Sequence, residues 1–186
     1  MLNKREGFAR RYWDISVQMP VIEAHEGLSA ARRECLGVIV ELWNVLAELR
    51  EEMRLVGGWA VYVLTELAGC AELPLYLRHR GSMDVDVAVG WPKIDEATAR
   101  LLVSRLRSAG YQGPKGFQWS RKTSSGMSYH IDMMTVPPPD HREGPVVVGG
   151  YDFAPLWSGG VLWQGHRDAV LRATLPDGRL GEAHVG

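Results

Sequence analysis

Two aspartates one residue apart, Asp84 and Asp86 in the stretch RGSMDVDVAV, have the type and spacing to do chemistry. In an extended segment Met83, Val85, Val87 and Val89 share one face, the core face, and Asp84, Asp86 and Ala88 share the other. Two ionised carboxylates about 6 Å apart repel by roughly 3 kcal/mol at an effective dielectric near 20. Open water, a proton, a basic partner or a bound cation must offset that. Side by side on one strand face, the pair can bind two divalent cations about 4 Å apart, the spacing of two-metal phosphoryl chemistry. Oxygen-only ligands with room for water suit Mg²⁺ or Mn²⁺.

Other residues extend the set. Gly57-Gly58 stands where a helix is expected to start, and glycines there let backbone N–H groups approach a phosphate at the helix N-terminus. Arg80 can pair with phosphate oxygens through its planar fork. In SYHIDMMTV, Ile131 and Met133 point one way, and His130, Asp132 and Met134 point the other. A strand pairing beside 83–89 brings Asp132 across from Asp84 and Asp86. There it can hold one metal and orient an attacking hydroxyl, or accept its proton. Together these pieces suit the handling of a nucleoside triphosphate.

Each piece also has a plainer reading. Paired acids occur on half-exposed edge strands, and a glycine pair often marks a helix boundary. Gly149-Gly150 and Gly159-Gly160, which follow the carboxylates, read as simple turns. Arg80 can be a structural partner of the aspartates, and Ser82 can satisfy a local backbone group. His79 and His130 flank the acids, but no two histidines have zinc-ligand spacing. Trp59 and Tyr62 read as core.

The elements that must position these residues follow from periodicity. Leu36, Ile39, Trp43, Leu46, Leu49 and Met53 recur at steps of three and four, which predicts a helix from Ser29 to Met53. Trp59 to Ala68 reads as a second helix, terminated by Gly69. A strand over 83–89 follows, then a helix capped by Asp95 with Leu102, Leu106 and Ala109 inward and Gly110 past its end. Residues 117–123 and 128–136 read as strands joined by Ser124-Ser125-Gly126. Pro137–Pro139 should run as an extended connector. Beyond it, PVVVGG, GGVLWQG and RATLPDGRLGEAHV suggest short strands and a Pro-Asp-Gly turn. Residues 1–27 carry no clear assignment.

At 186 residues with 46% hydrophobic content and seven tryptophans, the chain can bury a sizeable core. A formal charge of −1 leaves no global footprint for nucleic acid or an acidic membrane. Local basic patches exist at Arg10-Arg11, Arg32-Arg33 and Arg78–Arg80, and such groups usually lie on solvated helix faces. Cys35 and Cys70 lack CxxC spacing and read as small buried hydrophobes in a reducing compartment. No signal-peptide pattern and no apolar run of about 18 residues is present. A cytoplasmic protein without membrane contact is expected.

The strings GGWAVYVL, HRGSMDVDVAV and HIDMM, in that order, resemble the DNA polymerase β-like nucleotidyltransferase superfamily. Its pattern is a hydrophobic residue with Gly-Gly or Gly-Ser, an Asp-x-Asp on a strand, and a third Asp on a neighbouring strand. The likeness covers residues 54–135 and is nearest the minimal nucleotidyltransferases, AbiEii-type toxins and aminoglycoside nucleotidyltransferases. It implies an α/β (α+β) nucleotidyltransferase fold: a short mixed sheet flanked by helices, with an extra N-terminal helix and C-terminal short strands. The chain then divides into an N-terminal helical segment (1–53), a catalytic core (54–136) and a β-rich extension (137–186), in one compact unit. The resemblance makes Asp84, Asp86 and Asp132 catalytic and the ligands of two Mg²⁺ or Mn²⁺ ions. It places Gly57, Gly58, Arg80 and Ser82 at the nucleotide.

The implied reaction moves a nucleoside monophosphate from a nucleoside triphosphate to an acceptor hydroxyl and releases pyrophosphate. The acceptor is a protein side chain or a tRNA end, in a toxin–antitoxin or defence setting with a cognate partner. Alternatives are an aminoglycoside-like small acceptor, or a catalytically silent antitoxin or scaffold that binds a partner through the same fold. A nuclease using the same acids with water is a third. The helical C-terminal region by which many relatives help bind the acceptor is missing, or cut from this chain, and residues from Pro137 onward add no further motif of that family.

Overall fold

Apolar runs separated by turn residues give this chain ten strands and three α-helices among the residues that the computed structural model describes: 19–24, 26–68, 74, 79–90, 94–115, 117–157 and 167–186. In chain order they are β1 (Val21–Glu23), α1 (Ala30–Val45), β2 (Met53–Val56), α2 (Gly57–Leu67), β3 (Asp84–Val89), α3 (Glu96–Ser108), β4 (Gln112–Lys115), β5 (Gln118–Lys122), β6 (Ser128–Thr135), β7 (Val146–Val148), β8 (Tyr151–Pro155), β9 (Ala169–Thr174) and β10 (Leu180–Val185). A 3₁₀ turn, Ala47–Glu52, links α1 to β2. The architecture is mixed α+β, with two sheets sharing one helix.

The larger sheet runs β2-β3-β6-β5-β4, with β8 and then β7 continuing beyond the end of β5. β3 lies antiparallel to β2 and parallel to β6, and β5 is antiparallel to β6. A parallel β3–β6 pair needs a crossover, and α3, β4 and β5 provide it. The smaller sheet runs β1-β9-β10, with β1 parallel to β9 and β10 antiparallel to it. It joins Val21–Glu23 to the two last strands, and Leu55 N–H donates to the Gly186 carbonyl at 2.9 Å. The expected N-terminal segment and C-terminal extension therefore build one sheet between them.

Helix α1 begins at the Ser29 cap, whose hydroxyl accepts from Arg32 N–H at 3.3 Å. Every residue from Cys35 to Val40 is buried. A helix buried all round must have neighbours on every side, and α1 packs against β9 and β10 as well as β3 and α3. The approach to β9 is so close that a Cβ on Gly37 would sit 2.0 Å from the Thr174 carbonyl oxygen. Across the other side, Arg121 of β5 forks onto Glu41 at 2.7 and 2.8 Å, and the Tyr111 hydroxyl donates to Glu41 at 3.0 Å.

The expected helix over Ser29–Met53 is too long. It ends at Val45, and Met53 opens β2. Leu46 and Leu49 are buried as expected, but a three-residue step fits a 3₁₀ turn as well as an α-helix. Met83 is also displaced from its expected core face: it precedes the ladder and is exposed, its carbonyl accepting the Cys35 thiol at 3.7 Å. Asp95 caps α3 as expected, accepting from Thr98 N–H at 2.7 Å. Strands β5 and β6, the β9–β10 hairpin and the Gly149-Gly150 turn between β7 and β8 also form where the sequence predicts them. Cys35 is buried, and burial pushes its thiol up to about 12, with the Asp84 charge adding to the rise. Cys70, Arg10, Arg11, Arg78 and Gly159-Gly160 lie outside the described residues. No described helix is long and apolar enough to cross a membrane.

Candidate active site

Alternation along β3 separates the acids from the core: Val85, Val87 and Val89 are buried, Asp84 is exposed and Asp86 half-buried. On β6, Tyr129, Ile131 and Met133 are buried, while His130 is exposed and Asp132 half-buried. The parallel register pairs Asp86 directly with Asp132, and Asp84 with His130. Neighbouring strands lie about 4.8 Å apart, so three carboxylates share one patch of the face opposite α1. Burial pushes the Asp86 carboxyl up from its ordinary value, and the charges of Asp132 and Asp84 push it further.

Helix α2 is aimed at this patch. Val56, ahead of it, provides no side-chain cap, which leaves first-turn N–H groups for an outside acceptor. Gly57 has φ +63°, and a Cβ there would lie 2.0 Å from Asp86 Oδ2. The glycine is thus required twice, by its left-handed backbone and by the carboxylate that fills the place of its side chain. A Cβ on Gly58 would lie 3.1 Å from Ser82 Oγ, so the first turn of α2 backs onto the segment entering β3.

That segment is held locally. Ser82 Oγ donates to the Asp84 carbonyl at 2.5 Å, the plainer of its two readings. Gly81 N–H donates to His79 Nδ1 at 3.0 Å, which makes Nδ1 the unprotonated ring nitrogen. Gly81 itself lies against the Trp59 ring. Trp59 and Tyr62 are fully buried, edge to face at 5.3 Å and 77°, and serve as core beneath the site. Arg80 is exposed, four residues ahead of Asp84.

The chain matches no protein-family model, no curated protein and no solved structure. The chemistry of the site therefore rests on its own geometry. Three carboxylates offering only oxygen, with crowded negative charge at Asp86, fit a hard divalent cation. The strands align these positions, but the side chains do not converge: among the described residues no three His, Cys, Asp or Glu side chains are gathered to hold a metal ion. Asp132 is held instead from β5, its Oδ1 accepting from Gln118 Nε2 at 2.9 Å. Gln118 escapes the sequence reading because a glutamine on an exposed strand position carries no motif. Its only signal is that Gln118, Ser120 and Lys122 alternate with Trp119 and Arg121.

Proposed function

We propose that the chain is a metal-dependent nucleotidyltransferase, moving a nucleoside monophosphate from a nucleoside triphosphate to an acceptor hydroxyl. The observation that carries this reading is the juxtaposition of Asp84, Asp86 and Asp132 on one sheet face with the uncapped N-terminus of α2 beside Asp86. The triphosphate lies against the Gly57 and Gly58 N–H groups, with Arg80 pairing phosphate oxygens. Asp132 orients the acceptor hydroxyl and takes its proton as the new oxygen–phosphorus bond forms at the α-phosphate; the bond to the bridging oxygen breaks, and pyrophosphate leaves. Asp84, Asp86 and Asp132 would hold Mg²⁺ or Mn²⁺, which neutralises the charge that develops on the phosphates. Ser82 shapes the wall behind Gly58. The superfamily resemblance supports the same reaction, and the β2–α2–β3 hairpin with β6 parallel to β3 fits the order of its motifs. A cytoplasmic setting supplies both nucleotide and a macromolecular acceptor.

Label transfer tests the reading. The full chain and Asp86→Ala are incubated with Mg²⁺, cell extract and each nucleoside triphosphate labelled at the α- or γ-phosphate. Incorporation from the α-label alone, abolished in the variant, is expected. Incorporation from the γ-label, or α-label transfer that survives Asp86→Ala, overturns it. Phosphodiester cleavage without added nucleotide would point to a nuclease instead.

A further inference from the structure

On the α1 side of the larger sheet, away from the acids, lies an open groove of about 930 Å³, the size of a small-molecule site. Its walls are the first turns of α1, the β5–β6 turn and the β9–β10 hairpin. Ala24, Ala31, Ala173 and Leu175 give it an apolar lining. Met127 and Leu180, on two different walls, are 43% and 71% exposed, and large apolar side chains left open around one concave surface mark a place of contact.

One charged group in the lining is fixed. Glu34 accepts from the Ser125 hydroxyl at 2.9 Å and the Tyr129 hydroxyl at 2.8 Å. Burial opposes its charge, but these bonds and one from Thr123 outweigh burial and hold the carboxyl below its ordinary value. Its partners among the described residues are neutral, whereas Glu41, Glu48 and Glu96 each take an arginine. Fastening the turn to α1 uses only an acceptor oxygen, which an amide would supply as well; the carboxylate adds charge that nothing cancels. The neighbouring wall is acidic too, because Arg172 is shared between Glu23, at 2.7 Å, and Glu182. Arg33 also lines the groove but is exposed, where water and salt screen it. We propose that this groove binds an aliphatic ammonium ligand, with its charge on Glu34 and its carbon chain along the alanine and leucine lining. The site lies across the sheet from Asp86 and does not depend on the nucleotidyl-transfer reading.

The test is titration of the full chain with hexylammonium, 1-hexanol and hexanoate at low ionic strength, followed by calorimetry and by chemical-shift changes. Hexylammonium should bind about tenfold more tightly than hexanol, the lower end for a hydrogen bond to a charged group because Glu34 is only half-buried. Hexanoate should bind most weakly. Glu34→Gln keeps an acceptor for the turn and should bring hexylammonium down to the affinity of hexanol. Leu180→Ser, at an exposed position that folding does not need buried, should weaken both by a similar factor and decides the matter if the glutamine variant misfolds. Asp86→Ala should leave hexylammonium binding unchanged. A wild type that binds the amine no better than the alcohol overturns the proposal, as does a preference for the amine that survives Glu34→Gln. Amine binding lost in Asp86→Ala overturns it as well, because the ammonium then sits among the acids on the opposite face.

Discussion

Substituting alanine at Gly57 probes the link between α2 and the carboxylates most directly. Two separable costs apply. Holding a non-glycine residue at φ +63° costs about 1–2 kcal/mol. The new Cβ would also meet Asp86 Oδ2 at 2.0 Å and Cγ at 2.9 Å, so the carboxylate must leave its rotamer. Displacement of that kind costs about 0.5–1.5 kcal/mol. Gly57→Ala should therefore destabilise the metal-free protein by about 1.5–3.5 kcal/mol, the sum of these terms.

The second term disappears when the carboxylate is removed. In an Asp86→Ala background only the side-chain Cβ of residue 86 remains, 3.2 Å from the new methyl, and the backbone term of about 1–2 kcal/mol survives alone. Urea denaturation of the four proteins in the cycle should then give a coupling of about 0.5–1.5 kcal/mol, read from midpoints at constant m-value. Gly58→Ala is the control. Its Cβ would lie 3.1 Å from Ser82 and its φ is not positive, so helix propensity offsets the slight crowding. Additivity of Gly57→Ala and Asp86→Ala within about 0.3 kcal/mol, or a Gly57→Ala variant as stable as Gly58→Ala, would refute the placement of Asp86 against the helix start.

Two further predictions use charges that the fold holds in place. The folded-state pKa of Asp86 is raised, so its contribution favours folding below the ordinary value of 3.8 and is lost as pH rises through the raised value; Asp86→Asn should therefore gain stability relative to wild type between acid and neutral pH, and a difference that stays flat in urea titrations across that range would contradict the crowding. Arg121→Lys should lose part of the fork onto Glu41, whose side chain is 16% exposed beside an arginine 21% exposed; bonds to charged groups contribute about 1.5–3 kcal/mol, partial exposure puts the loss at the lower end, and a lysine variant that melts with wild type would show the fork to be dispensable.

What could be read from the sequence was set by the range of the interaction involved. The face of Asp84 and Asp86 is a local property of alternation and stands as expected. So do the cap at Asp95 and the turn after Lys122, each fixed by neighbours in sequence. Strands β1 and β2 were not legible: three or four residues cannot display a period, and β1 is defined by its partner β9, about 150 positions later. The burial of α1 on all sides was hidden for the same reason, since its second covering layer comes from the end of the chain. At the site, the motif order suggested that Asp132 joins the other two acids. Only the β3–β6 register makes Asp86 its direct neighbour, and only the β5–β6 register makes Gln118 its donor.

The same register explains why so crowded a set of charges does not unsettle the fold. Strand side chains alternate with a period of two, so a one-residue slip of β6 against β3 would turn Asp132 and His130 toward α1 and expose Tyr129, Ile131 and Met133. Burying an unpaired carboxylate there costs far more than the repulsion among the three acids. The fully buried face of α1 thus enforces the register, and the register delivers the acids to the opposite face. The local costs of the site, desolvation and then repulsion, fall together on Asp86, the half-buried member set between Gly57 and Asp132. Under the proposed metal-dependent reaction, a cation would relieve that cost where it is largest, so ligand binding and folding would draw on the same residue.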